Sequence, residues 1–131
     1  MYLLDSDILI FLCKGKTAIQ DRICREGLSN CRISDISLAE ILVGPYKNGW
    51  ERDFHNVRQV EKIIPQIPLS KEIIHRYAGL RAQLEGQGIR LEDLDLLIAA
   101  TALVNDYTLV SHNTRHFSRI PGLKLEDWIQ E

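Results

Sequence analysis

Only three of the 131 residues are cysteine, and Cys13, Cys24 and Cys31 form no C-x-x-C pair. An odd, scattered set of thiols excludes a disulfide framework and offers no thiolate cage for zinc; it reads as reduced cysteine. Long apolar runs are missing too. The longest, Leu96 to Val104, is about half of the roughly 20 residues that a membrane-spanning helix requires. Met1-Tyr2-Leu3-Leu4 runs straight into Asp5 and Asp7, without the basic and apolar regions of a secretory signal, so a cytoplasmic location is expected. Neither sign of charge dominates: 16 Lys+Arg against 18 Asp+Glu leaves a net −2. No overall basic field draws in nucleic acid, and such a partner must meet a local patch. Repeats, linkers and low-complexity tracts are absent. What is present, 45% apolar and 26% charged residues, suits one domain over residues 1–131.

The hydrophobic spacing predicts alternating short strands and helices. Tyr2-Leu3-Leu4 reads as a strand, followed by a helix through Ile8 to Cys13 that closes before Gly15. Thr17 is expected to cap a second helix, with Ala18, Ile19 and Ile23 on one side and Gly27 as its stop. Cys31 to Ser34 reads as a second strand, and Ser34, Asp35 and Ser37 offer caps for a helix stopping at Gly44-Pro45. Two amphipathic helices follow: one with Trp50, Phe54, Val57, Val60 and Ile64 along a stripe, the other from Ser70 with Ile73, Tyr77, Leu80 and Leu84. A short strand is expected within Gln66 to Leu69, a buried helix over Asp93 to Asn105, a strand over Tyr107 to Ser111, and an edge strand over Gly122 to Leu125. Strands alternating with helices imply parallel β-α units, hence an α/β sandwich whose ligand site lies beyond the carboxyl ends of the strands.

Three acids sit where apolar residues are expected. Glu40 shares a helical stripe with Ile36 and Val43, Asp95 precedes Ile98, Ala99 and Ala102, and Asp5 ends the first strand. Each has an ordinary explanation: a capping box of Ser37 with Glu40, a first-turn acid or second cap at Asp95, a turn acid at Asp5 with Asp7 capping the next helix. Together, with no Lys or Arg in their own motifs, they would converge at one sheet end. At about 4 Å and an effective dielectric near 20, each like-charged pair costs roughly 4 kcal/mol, a conflict that a divalent cation removes. All-oxygen ligands favour Mg²⁺ or Mn²⁺ over Zn²⁺.

The ordered pieces Leu3-Leu4-Asp5-Ser6-Asp7-Ile8-Leu9-Ile10, Ile33-Ser34 with Glu40, Asp95-Leu96-Leu97-Ile98-Ala99-Ala100-Thr101-Ala102 and Leu109-Val110-Ser111-His112-Asn113-Thr114-Arg115-His116-Phe117 resemble the PIN domain. The closing Arg119-Ile120-Pro121-Gly122-Leu123 and Leu125-Glu126-Asp127-Trp128 resemble in particular the VapC ribonuclease toxins of toxin–antitoxin pairs. The resemblance implies a PIN-like three-layer sandwich with a mainly parallel sheet of four or five strands. It implies a Mg²⁺-dependent endoribonuclease, with Mn²⁺ as a substitute, and Asp5, Glu40 and Asp95 as its acidic centre. Asp5 and Asp95 are then the direct ligands, and Glu40 holds a metal water or accepts its proton. It further implies a VapB-like antitoxin whose tail blocks the site, and a homodimer packed through helices between residues 36 and 87.

Two departures from that pattern stand out. Asp7 replaces an Asn and is expected to keep the helix cap, and His116 occupies the place of the fourth acid. Asn113 and His116 are therefore candidates for orienting the site or touching phosphate, against a reading as a polar turn capped by Thr114. Arg115 and Arg119, with Lys14 and Lys16 behind them, are candidate contacts to RNA phosphates. Tyr46, Trp50 and Phe54 are expected to serve core or dimer packing rather than base stacking. Competing readings are a metal-incompetent PIN-like binding or assembly module, a haloacid-dehalogenase-like phosphotransferase, and a receiver-like domain. The last two lack a suitably placed Lys.

Overall fold

The computed structural model describes residues 1–129. Five strands, β1 (Tyr2–Leu4), β2 (Cys31–Ser34), β3 (Gln66–Ile67), β4 (Thr108–Val110) and β5 (Leu125–Glu126), form one sheet in the order β3-β2-β1-β4-β5. Every pairing is parallel. The connections are helical: α1 (Ser6–Cys13) and α2 (Thr17–Glu26) join β1 to β2, and α3 (Asp35–Asn48) and α4 (Glu51–Ile63) join β2 to β3. Helices α5 (Lys71–Gly86) and α6 (Asp93–Asn105) lead to β4, and the short α7 (Thr114–Phe117) leads to β5.

The two-residue period of a strand explains the three layers. Leu4 and Val110 face one way, into a core with Ile8, Ile19, Ile23, Ile41, Val57 and Val60 from α1 to α4. Leu3 and Leu109 face the other way, against Leu80, Leu84, Ile98, Ala99 and Phe117. Short strands buried on both faces are what parallel β-α units require. Phe117, fully buried, ties α7 to that second core. Phe117→Ala should lower unfolding free energy by about 3–5 kcal/mol in urea titrations.

Several local expectations are corrected. Gly44-Pro45 does not stop α3, which continues to Asn48 and ends where Gly49 takes a left-handed φ of 70°. Pro45 is buried, so its side-chain packing offsets the lost backbone hydrogen bond. The cap of α2 is Lys16, with no side-chain bond, not Thr17. The edge strand is Leu125–Glu126, sharing only Leu125 with the expected segment and ending one residue later. Asn113, not Thr114, is the cap residue of α7. Tyr46 and Trp50 are 74% and 59% exposed, so they do not pack in this chain's core; Tyr46 meets Phe54 edge-on at 4.9 Å. The reason is that Trp50 precedes α4 and Tyr46 lies in the last turn of α3, so they share no helical stripe. Val43 is likewise exposed, and α3 buries Ser37, Ile41 and Pro45 instead.

Candidate active site

Chain direction alone brings acids to the carboxyl edge of the sheet. β1 is central, and the Asp5 amide donates to Val110 O at 2.9 Å, prolonging the β1–β4 ladder by one residue. The backbone then turns into α1. Asp5 is the cap residue of that helix, its Oδ1 accepting from Ser6 N at 2.8 Å, while its Oδ2 accepts from Ser111 Oγ at 2.8 Å. Only 5% of Asp5 is exposed. Asp7 is thus not the cap residue of α1. Its Oδ1 accepts locally from Ile8 N, and its Oδ2 reaches the segment after β4, accepting from His112 N at 3.0 Å and weakly from Ser111 Oγ. Ser111 Oγ also accepts from Asn113 N at 3.0 Å.

Glu40 enters from α3. The cap of that helix is Ser34, whose Oγ accepts from Ser37 N at 3.0 Å, so Ser37 is inside the helix and no capping box employs Glu40. Its Oε1 is buried without a hydrogen-bond partner. Asp95 enters from the first turn of α6, whose cap residue is Glu92. The Asp95 Oδ2 lies 3.6 Å from His116 Nδ1, and Asn113 Nδ2 lies 3.1 Å from the same nitrogen.

The charges press on one another. Burial, then the charge of Asp7, raises the Asp5 pKa from 3.8 to about 7 against the Ser111 and Ser6 hydrogen bonds, and Glu40 adds to the rise. Burial raises Asp7 as well, opposed by the His112 and Ile8 amides and the His112 ring. Glu40 is raised by burial and by Asp95, Asp7 and Glu92, with Ser6 opposing. Asp95 is raised by burial and by Glu92 and Asp7, with His116 opposing. Among the described residues, no Lys or Arg forms an ion pair with any of these four acids, and His116 beside Asp95 is the nearest thing to a counter-charge.

An all-oxygen set with an unpartnered buried oxygen at Glu40 suits a hard divalent cation. Among the described residues, however, no three His, Cys, Asp or Glu side chains already stand close enough to share one ion. The carboxylates converge without closing, as like charges do when nothing holds them together. Arg115 and Arg119 are exposed on and after α7, and Lys14 and Lys16 flank the α1–α2 turn. A concavity of about 430 Å³ at the α5–α6 connection is a different feature. Its Arg81 pairs with Asp93 and Glu85. A second groove, about 270 Å³, runs from Glu40 between α1, α3 and α4 over Ile10, Ile41, Pro45 and Val57.

Sequence reasoning named Asp5, Glu40, Asp95, Asn113 and His116, and the structure brings them to one sheet end together with Asp7. It missed Ser111, which links Asp5 to Asp7, and His112, whose Nδ1 lies 2.9 Å from Asp127 Oδ2. The signal was the position of both segments just after a parallel strand.

The five-stranded parallel sheet with carboxylates at its carboxyl edge is an α/β sandwich, and residues 2–123 match the PIN domain family, to which the chain belongs. Within it the chain is VapC-like. It is 30% identical to ribonuclease VapC2 of Rickettsia felis, over 98% of both chains. It is 32% identical to the tRNA(fMet)-specific endonuclease VapC of Salmonella typhimurium, over 97% of both. Among solved structures, VapBC2 of Rickettsia felis bound to a promoter DNA fragment superposes with a TM-score of 0.90 at 30% identity, again covering 98% of both chains. These matches set aside the phosphotransferase and receiver readings.

Proposed function

We propose that the protein is a Mg²⁺-dependent endoribonuclease and the toxin of a toxin–antitoxin pair, with Mn²⁺ able to replace Mg²⁺. The observation that supports this most is the gathering of Asp5, Asp7, Glu40 and Asp95 at one sheet end without a Lys or Arg partner among the described residues, where burial and one another's charge raise their pKa values. Asp5, Asp95 and Glu40 are the residues that would hold the cation. When bound, it supplies an acidified water and offsets charge developing on the phosphodiester. Ser111 fixes the Asp5 carboxylate, and Glu40, with a free buried oxygen and a raised pKa, takes the proton of the attacking water. His116 and Asn113 orient Asp95 from outside. Arg115 and Arg119 serve the RNA backbone by charge alone.

The groove beside Glu40 suits a VapB-like antitoxin tail, which would lay apolar side chains over Ile10, Ile41 and Val57 and carry a cation to Glu40. The exposed apolar side chains Val43, Tyr46, Trp50, Ile63 and Ile74 make α3, α4 and α5 the surfaces for a homodimer. Because a relative of 32% identity is named for tRNA(fMet), that tRNA is the first substrate to test. Incubated with it, the protein should cut in millimolar Mg²⁺ or Mn²⁺ and not in EDTA, as read on a denaturing gel. An intact tRNA and intact total cellular RNA in both metals would overturn the assignment. That result would favour the binding-module reading, which the His116 substitution motivates.

A further inference from the structure

His112 is tied to the acid centre through its backbone, yet its imidazole has no part in the chemistry above. Strands β4 and β5 are parallel with Val110 opposite Glu126, and Ser111 N donates to Glu126 O at 2.9 Å. That register carries the next residues of both strands out side by side, at the same sheet edge as Asp5. His112 Nδ1 meets Asp127 Oδ2 at 2.9 Å, and the other carboxylate oxygen accepts from Ile129 N at 2.9 Å, so the carboxylate is held at both ends. The His112 backbone donates to Asp7 at 3.0 Å, and the ring is within electrostatic reach of Asp7. The side chain is 49% exposed, and among the described residues Nε2 makes no hydrogen bond.

A carboxylate oxygen only accepts, so the proton of the neutral ring resides on Nδ1 and Nε2 is fixed as an acceptor. Phosphate oxygens, which accept as well, do not satisfy it. The donor that accompanies every RNA phosphodiester, and that DNA lacks, is the ribose 2′-hydroxyl. We propose that His112, positioned by Asp127, is a ribose-reading subsite beside the acid centre, its Nε2 accepting a hydrogen bond from the 2′-hydroxyl of a nucleotide flanking the scissile bond. The inference rests on the RNA-substrate reading, but it concerns binding and needs no turnover.

Fluorescence anisotropy in EDTA at low salt, with a fluorescein-labelled RNA hairpin and its all-2′-deoxy counterpart, tests it. The wild type should bind the RNA about 5–10-fold more tightly, the scale of one hydrogen bond. His112→Ala should bring RNA affinity down to the DNA level and leave DNA affinity unchanged. Single 2′-deoxy substitutions walked along the hairpin should lower wild-type affinity at one position and have no further effect there in His112→Ala. Asp127→Ala should lose the preference, whereas Asp127→Asn, which keeps a carbonyl acceptor for Nδ1–H, should retain most of it. Additive effects of the deoxy substitution and His112→Ala, or a wild type without RNA preference, would overturn the subsite. If a variant fails to fold by circular dichroism, the deoxy walk in the wild type still decides. A discriminating protein that never cleaves would instead sink the nuclease reading and leave the subsite standing.

Discussion

Asp5→Asn should lower RNA cleavage by about 10³-fold or more while the protein stays folded, and should raise the melting temperature of the metal-free form. The first half follows from placement: Asp5 is the most buried of the clustered acids and the one bonded to both the α1 amide and Ser111. Removing its charge takes away one of the proposed cation ligands and a source of preorganised field, and losses of that size are typical when one member of such a unit is deleted. The second half follows from what the amide keeps. Its carbonyl still accepts from Ser6 N, and its NH₂ can donate to Ser111 Oγ, so the cap and the β1–β4 junction survive while the repulsion from Asp7 and Glu40 goes. Gel-based cleavage rates and thermal melts in EDTA check both halves. A folded variant that cuts within tenfold of wild type would remove Asp5 from the mechanism.

Unfolding free energy in EDTA should fall as the pH is raised from 5 to 8. A carboxyl whose folded pKa lies above its unfolded value binds its proton more tightly when folded. Its stabilising contribution is therefore complete below the unfolded value of 3.8 and is lost as pH climbs through about 7. The difference corresponds to about 4 kcal/mol at most, a large part of the 5–15 kcal/mol typical of a domain. Asp7, Glu40 and Asp95 are shifted in the same direction. Glu26 and Asp106 are shifted downward by Tyr2 and Lys124 respectively, so their contributions are lost only at acid pH, outside this window. Urea titrations at the two pH values should show the fall in the wild type and a smaller one in Asp5→Asn. Millimolar Mg²⁺ at pH 8 should restore stability by mass action on the folded state. Equal stability at pH 5 and 8 in EDTA would show that the acids are not under strain.

Much of this was legible in the residues. Leu3 and Leu4 announce a strand buried on both faces, the stripe Val57 and Val60 announces α4, and the apolar Ile98 to Ala102 announces the buried α6. Acids misplaced on those patterns pointed to Asp5, Glu40 and Asp95 because local periodicity suffices to expose them. What escaped depends on distant partners or on tertiary packing. Pro45 is a stop by local rules and a core residue in fact. Asp7 looked like a cap because nothing in the sequence reveals that His112 N lies beside it. The His112–Asp127 contact exists only through the β4–β5 register, which no short window contains. Tyr46 and Trp50 read as core or dimer aromatics because their spacing is helical; the core half fails because α3 ends and α4 begins between them.

The sheet order also sets a timetable. Asp5 directly follows β1, yet its amide bonds to Val110 of β4, and the hydroxyl that fixes its carboxylate belongs to Ser111. Closing so long a loop is the slow, late part of folding. On the ribosome, a nascent chain lacking β4 leaves β1 at the open edge of an unfinished sheet, with no Ser111 to orient Asp5. The acid centre therefore cannot be assembled before β4 and Ser111 have been made.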